Sequence, residues 1–460
     1  AAVTALRASA TAENPAVLYL RPGVYTAASG GLTGASHLFI VDAPIHLVGL
    51  GEKPTDVLLD GEGTYRVLKL TDPNASAEHL AVYRPKHCSG SVLTGYGIHI
   101  ENGAVTDCVI TNAAIATAAN TTEQALFVSN ALAAAVLVTD IRDPNDDTSP
   151  SPRAGRGVYL WDAVLRDSTV TGVKTGCATL YGRGDSTRIE RCLIAGNVCR
   201  GLSNSGQDGC AGAYLEYGAK MTDSSIINNS TTSGGGDHNT TYSALVLYGP
   251  NGNPATVDRC IITNNASGFV ANHTSAGAGG VLISGSATLR NTLVAGNRLT
   301  GVKSTNLGIV GGGVLVTTAA ASVENCTIAD NVLDGACCES AGVHLTAASS
   351  VVNCIIWNNG GTPTGGEWML GNVSNTAATV TYTCTMPLAE GAGNIAADPK
   401  LKVNKGYLVK SSSPCVNAGD PTGWTADDVD LLGNPRLRKG TTIDMGCYSY
   451  SVPGFMLMLK

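Results

Sequence analysis

A short phrase recurs nine times along this chain and constrains its fold more than any other feature. Each copy has a small residue, two mainly apolar positions and a turn rich in Asn and Gly. The copies begin at Cys108, Ser168, Cys192, Ser225, Cys260, Thr292, Cys326, Cys354 and Cys384. Successive copies start 24 to 35 residues apart, and the first interval of 60 residues is about two such periods. Self-similarity with this period indicates stacked structural units rather than one ordinary globular core.

A second phrase, five residues long, precedes most copies, and its apolar residues alternate with a period of two. It reads GIHIE (97–101), GVYLW (157–161), CATLY (177–181), GAYLE (212–216), ALVLY (244–248), GVLIS (280–284), GVLVT (313–317) and GVHLT (342–346). Such alternation predicts strands with one buried face, and repeated strands pair in parallel when their units stack. The sequence therefore predicts an all-β fold: a right-handed parallel β-helix with a short N-terminal capping helix and an irregular C-terminal cap.

The composition fits a solenoid and argues against two kinds of partner. Charged residues make up 14% of the chain, against about 25% in typical domains, and 56 of the 460 residues are Gly. The net charge is −7 and Lys and Arg are not clustered, so the chain has no electrostatic footprint for nucleic acid. No apolar run approaches the roughly 18 residues of a membrane span.

Two polar columns are predicted to run along the stacked units. The position that begins the phrase accepts Cys, Ser or Thr, which indicates a small inward-facing side chain rather than a disulfide or a metal ligand. Its cysteines are Cys108, Cys192, Cys260, Cys326, Cys354 and Cys384. The asparagines of the following turn are Asn197, Asn265, Asn297, Asn331 and Asn359. Because Asn tolerates left-handed backbone and can bond the Asn one layer away, this column is predicted to be a turn device.

The chain is expected to divide into a β-helix and a C-terminal segment. The β-helix spans 1–395, including an N-terminal cap (1–26) and a long insertion near 113–156. Residues 396–460 form a C-terminal cap that packs on the β-helix. Open sheet edges at both ends of a solenoid require such caps.

Both ends of the chain resemble known bacterial β-helix proteins. The opening, with a strand that leads into Pro22, Gly23 and Tyr25, resembles the start of pectin-lyase-like β-helices. The tail is similar to the C-terminal segment of choice-of-anchor Q proteins, which are secreted bacterial β-helices. Its motifs are ADPKL (397–401), GYLVKSSSPCVNAGD (406–420), DVDLLGNPRLR (428–438) and IDMGCYSY (443–450), with Cys447 and Ser449 where the family has Ala and Glu. The resemblance implies an extracellular location and a structural role for Arg436 and Arg438, but no reaction.

Aromatic residues on the outward positions of the second phrase suggest a binding face. Aligning the phrases places Tyr159, Trp161, Tyr181, Tyr214 and Tyr248 along one stripe beside Glu216. Flat rings next to carboxylates suit sugars, whose C–H faces stack while their hydroxyl groups form hydrogen bonds. The alternative is that a loop covers this stripe, with 113–156 as the candidate cover.

The motifs of polygalacturonases and pectate lyases are missing from the sequence, so no catalytic residue is assigned. An inverting hydrolase needs two carboxyl groups about 6.5–9.5 Å apart, for which Asp162 and Glu216 are the candidates. Elimination from a uronate needs a base, for which Lys174, Arg183 and Arg188 are candidates, and a group such as Ca²⁺ to offset the acid. No zinc-type motif occurs, and the acidic stretches 143–150 and 426–430 lack the spacing of a defined Ca²⁺ loop.

Two functions from different classes follow as expectations. The first is a secreted or cell-surface β-helix, expected to be a monomer, that binds polysaccharide or a surface glycan through the aromatic face. The second is a polysaccharide lyase or glycosidase with a non-standard site. A purely structural surface rod is a further alternative, and no cofactor is expected beyond the candidate Ca²⁺.

Overall fold

A computed structural model describes most of the chain. The described residues are 2–27, 37–85, 95–114, 123–142, 155–199, 210–231, 243–269, 277–301, 310–334, 340–345, 348–361, 371–375, 378–438 and 441–450. The first described element is the short helix α1 (Ala2–Leu6), and the chain then coils as a right-handed parallel β-helix. The predicted fold class is confirmed.

One side of the described coils is a sheet of twelve parallel strands, called face 1 below. Its strands are β3 (His37–Val41), β6 (Arg66–Leu70), β8 (Gly95–Ile100), β11 (Glu123–Ser129), β14 (Gly155–Trp161), β17 (Leu180–Arg183), β21 (Cys210–Glu216), β25 (Ser243–Gly249), β30 (Val281–Gly285), β35 (Val314–Val316), β39 (Ser340–Leu345) and β42 (Gly371–Asn375). Each strand pairs with the strand of the next coil, so residues at equivalent positions stack into columns.

The remaining sides are formed by shorter strands that also pair coil to coil. They are β1 (Ala16–Leu20), β2 (Gly23–Tyr25), β4 (Ile45–Gly49), β5 (Val57–Asp60), β7 (Ser76–Tyr83), β9 (Ala104–Thr111), β10 (Ala113–Ala114), β12 (Leu132–Ala134), β13 (Leu137–Arg142), β15 (Val164–Arg166), β16 (Thr169–Thr175), β18 (Arg188–Glu190), β19 (Leu193–Ala195), β20 (Val198–Cys199), β22 (Lys220–Thr222), β23 (Ser225–Ile227), β24 (Ser230–Thr231), β26 (Ala255–Asp258), β27 (Ile261–Thr263), β28 (Ala266–Phe269), β31 (Ala287–Arg290), β32 (Leu293–Ala295), β33 (Arg298–Gly301), β36 (Ser322–Glu324), β37 (Thr327–Ala329), β38 (Val332–Asp334), β40 (Ser350–Val352), β41 (Ile355–Trp357), β43 (Thr379–Thr381) and β44 (Cys384–Thr385). Two small pairs, β29 (Gly277–Ala278) with β34 (Val310–Gly311) and β45 (Leu401–Lys402) with β46 (Leu408–Val409), complete the strands of the described residues.

The core lies inside the coils and consists of stacked aliphatic columns. One column, in register through six coils, contains Ile194, Ile226, Ile262, Val294, Ile328 and Ile356, all fully buried. Burial of a side chain of this size contributes about 2–3 kcal/mol. The alternation seen in the sequence is therefore the physical basis of the fold.

The structure corrects the expectation of an insertion near 113–156, because the described part of this stretch forms a regular coil. β11 pairs with β8 and β14 on face 1, and β12 and β13 pair with the coils before and after them. The interval of 60 residues between Cys108 and Ser168 therefore contains one further copy of the repeat. Val136 occupies the place of the small polar residue in this coil, which is why the phrase was not visible.

The predicted cysteine column exists, but two of its members are shifted by one residue. Ser224, not Ser225, accepts the backbone N–H of Cys192, and Thr383, not Cys384, accepts that of Cys354. Cys384 instead pairs with Ile355 in the strand register. Burial raises the pKa of the Cys108 and Cys192 thiols, as expected of small core side chains.

The predicted asparagine column is a continuous hydrogen-bonded ladder. From Asn197 to Asn331, each side-chain Nδ2 donates to the Oδ1 of the Asn one coil further on, at 2.9–3.0 Å, and that Oδ1 also accepts the backbone N–H of the same donating Asn. The members are Asn197, Asn229, Asn265, Asn297, Asn331 and Asn359, so Asn229 joins the five predicted residues.

The C-terminal segment packs against the outside of the last coils. Cys415 and Met445 lie in one buried cluster with Ile355 and Cys384, while Cys447 and Tyr448 lie in another with Leu293. Cys415 and Cys447 are thiols in separate clusters and do not form a bridge.

Arg436 fastens this segment to the coils. Its fully buried guanidinium donates to Asn291 Oδ1 at 2.7 Å and to the Gly446 carbonyl at 2.9 Å.

Candidate functional site

An aromatic ladder runs along the outward side of face 1. The rings of His99, Phe127, Tyr159, Tyr181 and Tyr214 stack in sequence with centroids 4.6, 5.5, 5.0 and 5.3 Å apart. The ladder forms because the in-register strands repeat one outward position every coil. The sequence does not indicate Phe127 as a member, because its coil lies in the stretch that is expected to be an insertion.

The register of β17 differs from the sequence alignment by two residues, which is a correction. Tyr181 pairs with Tyr159 and Tyr214, and Arg183 pairs with Trp161 and Glu216, whereas the alignment put Tyr181 beside Trp161. Gly182 occupies the inward position that Leu160 holds in β14. The apolar residues of CATLY (177–181) alternate in the same way but lie two residues earlier than the true register.

A second buried layer covers part of this outward side. Tyr159 is 3% exposed and Tyr181 is 8% exposed, and the Arg156 guanidinium lies over the Tyr181 ring at 4.5 Å. Further along the column, Val246 and Leu282 pack with Ala178, Cys210 and Ala278 in one cluster. Of the two alternatives for the aromatic stripe, a covered surface is the one that holds for Tyr159 and Tyr181. Burial raises the pKa of the Tyr159 phenol.

The aromatic surface that reaches solvent lies one column further, where face 1 turns into the next side. Trp161 is 41% exposed and lies at one side of an open groove of about 540 Å³. The lining residues are Asn130, Trp161, Asp162, Arg183, Gly184, Asp185, Ser186, Tyr217 and Asn253. This set, called the Trp161 groove below, brings together one indole, one phenol and several hydrogen-bonding side chains.

The Arg183 guanidinium links the two rings of the Trp161 groove. Its Cζ lies 5.5 Å from the Trp161 ring centroid and 4.6 Å from that of Tyr217. Its Nε lies 3.5 Å from Glu216 Oε1, and the Tyr181 hydroxyl donates to the same oxygen. Glu216 is only 6% exposed, so it holds Arg183 from below rather than lining the groove.

The turn after each strand places two carboxylates on neighbouring coils. Asp162 adopts left-handed backbone (φ 47°), and its Oδ1 accepts the backbone N–H of Ser186 at 3.1 Å. A Cβ on Gly184 would lie 2.3 Å from Asp162 Oδ1, and one on Gly218 would lie 2.1 Å from Asp185 Oδ1. Both carboxylates therefore pack over a glycine of the next coil, which explains why these turns carry Gly.

The other predicted residues lie outside the Trp161 groove lining. Lys174 is exposed on β16 and pairs with Val198 on a different side of the coil. Arg188 donates to the carbonyls of Asp185 and Thr187. Tyr214 and Tyr248 are half-buried, with ring centroids 6.5 Å apart.

Asn130 and Asn253 complete the Trp161 groove and were missed by sequence reasoning. Asn130 follows β11, so its position became visible only when this coil was recognised. Within the part of the chain that the structure describes, no group of three or more His, Cys, Asp or Glu residues is arranged to hold a metal ion. Within the same residues, no helix is long and apolar enough to cross a membrane.

Comparisons with known proteins give only distant structural likenesses. No protein-family model and no curated protein matches the chain. A mannuronic acid specific polysaccharide family 6 lyase from human gut microbiota is 12% identical, with a TM-score of 0.37, over 92% of this chain and 94% of its own. The pectate lyase Pel9A is 12% identical, with a TM-score of 0.32, over 97% and 90%. The family 6 alginate lyase AlyGC is 12% identical, with a TM-score of 0.31, over 93% of this chain and 58% of its own. Likenesses this distant assign no activity to the chain.

Proposed function

We propose that the protein binds polysaccharide or a surface glycan through the Trp161 groove. The observation that carries the proposal is the 41% exposure of Trp161 in an open groove whose other walls are hydrogen-bonding groups. Exposed indole is a costly surface for water and a suitable platform for the C–H face of a sugar. Asn130, Asp162 and Asn253 offer donors and acceptors for hydroxyl groups at the same place.

The location and the assembly state are part of the same proposal. We propose that the protein works as a monomer at the cell surface or in the medium, where such glycans occur. The resemblance of its tail to choice-of-anchor Q proteins supports this location. Light scattering coupled to gel filtration measures the mass of the particle, and a dimer in dilute solution would contradict the monomer.

Replacement of the exposed indole tests the binding function. We expect Trp161→Ala to weaken retention of a bound glycan by about five- to thirtyfold, because stacking of this kind contributes roughly 1–2 kcal/mol. A glycan array identifies the ligand, and affinity electrophoresis then compares the variants. Tyr19→Ala is the matched control, since Tyr19 is a 60% exposed aromatic residue on β1, outside the groove. Equal retention by both variants and the unmodified protein would contradict the proposal.

Cleavage of the bound chain is the second candidate function. The Trp161 groove contains a carboxylate, Asp162, together with the Tyr217 hydroxyl, so groups able to accept and donate a proton are present at one place. A reducing-sugar assay and an ultraviolet assay for unsaturated uronates detect hydrolysis and elimination. Product that disappears in Asp162→Asn, with retention preserved, would establish this candidate over binding alone.

A further inference from the structure

The ionisable groups around the Trp161 groove are predominantly acidic. The groove is lined by Asp162, Asp185 and Arg183, and Glu216 lies directly beneath Arg183. Three carboxylates therefore stand against two guanidinium groups, those of Arg183 and of Arg188, whose Nη1 donates to the Asp185 carbonyl at 2.6 Å. The net charge of these groups is negative, and this net charge determines which sugars can approach.

The positive charge of Arg183 is already engaged within the protein. Glu216 attracts it from below, and the ring centroids of Trp161 and Tyr217 lie 5.5 and 4.6 Å from its Cζ. Cation–π contact and a buried carboxylate both lower the electrostatic attraction that Arg183 offers to a further anion. Arg183 consequently acts as a structural cation that holds the two rings in place.

The two lining carboxylates lack such compensation. Among the described residues, neither Asp162 nor Asp185 forms an ion pair. Asp162 Oδ1 accepts a single backbone N–H from Ser186, and Arg188, which is near in sequence, donates to the backbone carbonyl of Asp185. Both residues line the groove, so their negative charge contributes to the potential there.

We infer that the Trp161 groove accepts sugars that are uncharged or carry an amino group, and that it discriminates against polyuronates. The inference rests on the proposed function and adds the ligand class to it. A uronate carboxylate placed over Trp161 would meet like charge from Asp162 and Asp185, which weakens binding by about tenfold for each close pair at low ionic strength. An ammonium group on the sugar would instead gain two acceptors.

Three ligands of matched length test the inference. A neutral β-glucan hexamer, a glucosamine hexamer and a uronate hexamer are titrated into the full chain at pH 7 by calorimetry. The buffer contains a chelator in one series and millimolar Ca²⁺ in another. We expect the glucosamine and neutral hexamers to bind at least about tenfold more tightly than the uronate hexamer, with a smaller difference at high salt.

Neutralising the two carboxylates gives the decisive variant. Asp162→Asn with Asp185→Asn is expected to reduce the discrimination to less than about threefold, and Asn tolerates the left-handed backbone at 162. Glu13→Gln with Glu52→Gln is the matched control, because it changes the net charge equally at exposed positions outside the groove. This control should leave the ratio unchanged.

The possible failures are distinguishable. Equal or tighter binding of the uronate hexamer, with or without Ca²⁺, would overturn the charge inference and leave the proposed glycan binding intact. If none of the three hexamers binds and the array is also empty, the proposed function itself fails. A ratio that shifts equally in both double variants would show that net charge, rather than Asp162 and Asp185, sets the preference, and would also overturn the inference.

Discussion

His99 is an imidazole that stays neutral mainly because it is buried. Burial, followed by the nearby Lys69 ammonium, lowers the pKa of His99 to about 4. Its Nε2 lies 3.0 Å from Glu101 Oε1, and its ring stacks on Phe127 with centroids 4.6 Å apart. The neutral form suits a ring that belongs to the aromatic ladder.

This shift predicts a loss of stability in acid. The unfolded chain binds a proton at His99 near pH 6.5 and the folded chain near pH 4, so the contribution of His99 is complete above pH 6.5 and lost as the pH falls to 4. The loss amounts to about 3 kcal/mol. We expect His99→Gln, which stays uncharged, to flatten the dependence of the urea midpoint on pH in this window. Parallel curves for both proteins would contradict the assignment.

The candidate site shows which residues sequence reasoning can place. The alternating phrase selects Trp161 as an outward aromatic residue, and Asp162 and Arg183 are candidate catalytic groups beside it; all three line the groove. The burial of Tyr159 and Tyr181 was left open, because the cover comes from other residues, such as Arg156, whose contact with a ring depends on tertiary packing. The register of β17 could not be predicted because Gly182 stands where the neighbouring strand β14 has the inward apolar residue Leu160.

At the scale of an element, the turn between β23 and β24 shows how one residue type sets a register. Asn228 has left-handed backbone, as Gly196 does in the preceding coil, and Asn229 then takes the ladder position. The sequence alignment began one residue too late in this coil because Ser224 and Ser225 are adjacent and alike. The hydrogen bond from Cys192 to Ser224 Oγ resolves the ambiguity.

Adjacent asparagines in this turn allow a paired test of the ladder. Asn229→Ala leaves the Asn197 amide and the Ile194 carbonyl without their buried partners, so we expect a loss of roughly 2–4 kcal/mol. Asn228→Gly, at the neighbouring exposed position, keeps the left-handed backbone and should change stability by less than about 1 kcal/mol. Urea denaturation followed by circular dichroism measures both, and similar losses would exclude a special role for the ladder.

At the scale of the whole molecule, the C-terminal segment acts as a brace across several coils. Arg436 contacts Asn291 and Asn325 of two different coils as well as Gly446 of the segment itself. Trp424 lies over Arg290 at 4.4 Å and adds a second attachment. The brace covers Leu293 and Ile355, which would otherwise be exposed on the coil surface.

Removing the buried guanidinium should release this brace. We expect Arg436→Leu to leave buried acceptors without donors and to cost about 3 kcal/mol or more, so that residues 396–450 become sensitive to protease before the coils do. Mass spectrometry of timed digests identifies the cleavage sites. Arg438→Leu, at a half-buried position over the Tyr450 ring, is the control and should be cleaved at nearly the unmodified rate. Simultaneous digestion of coils and segment would contradict a separable brace.

The overall architecture was predictable because the repeats carry it. Spacing and alternation alone indicate parallel coils, and the aliphatic columns confirm the inference. The sequence does not reveal the coil that contains β11, since Val136 replaces the small polar residue and Ala133 replaces the larger apolar residues Val105 and Leu165 of the neighbouring coils. Stacking on neighbours on both sides compensates for such weak local signals.

The asparagine ladder also has a direction, since the side-chain amides from Asn197 to Asn331 each donate to the Asn of the following coil. Each new amide extends an existing line of aligned dipoles, and the line gains strength with length. A rod of this kind can grow by duplication of one complete turn that carries its own Asn. An added fragment of half a turn would interrupt the hydrogen-bonded asparagine ladder. The length of the β-helix therefore changes by complete turns.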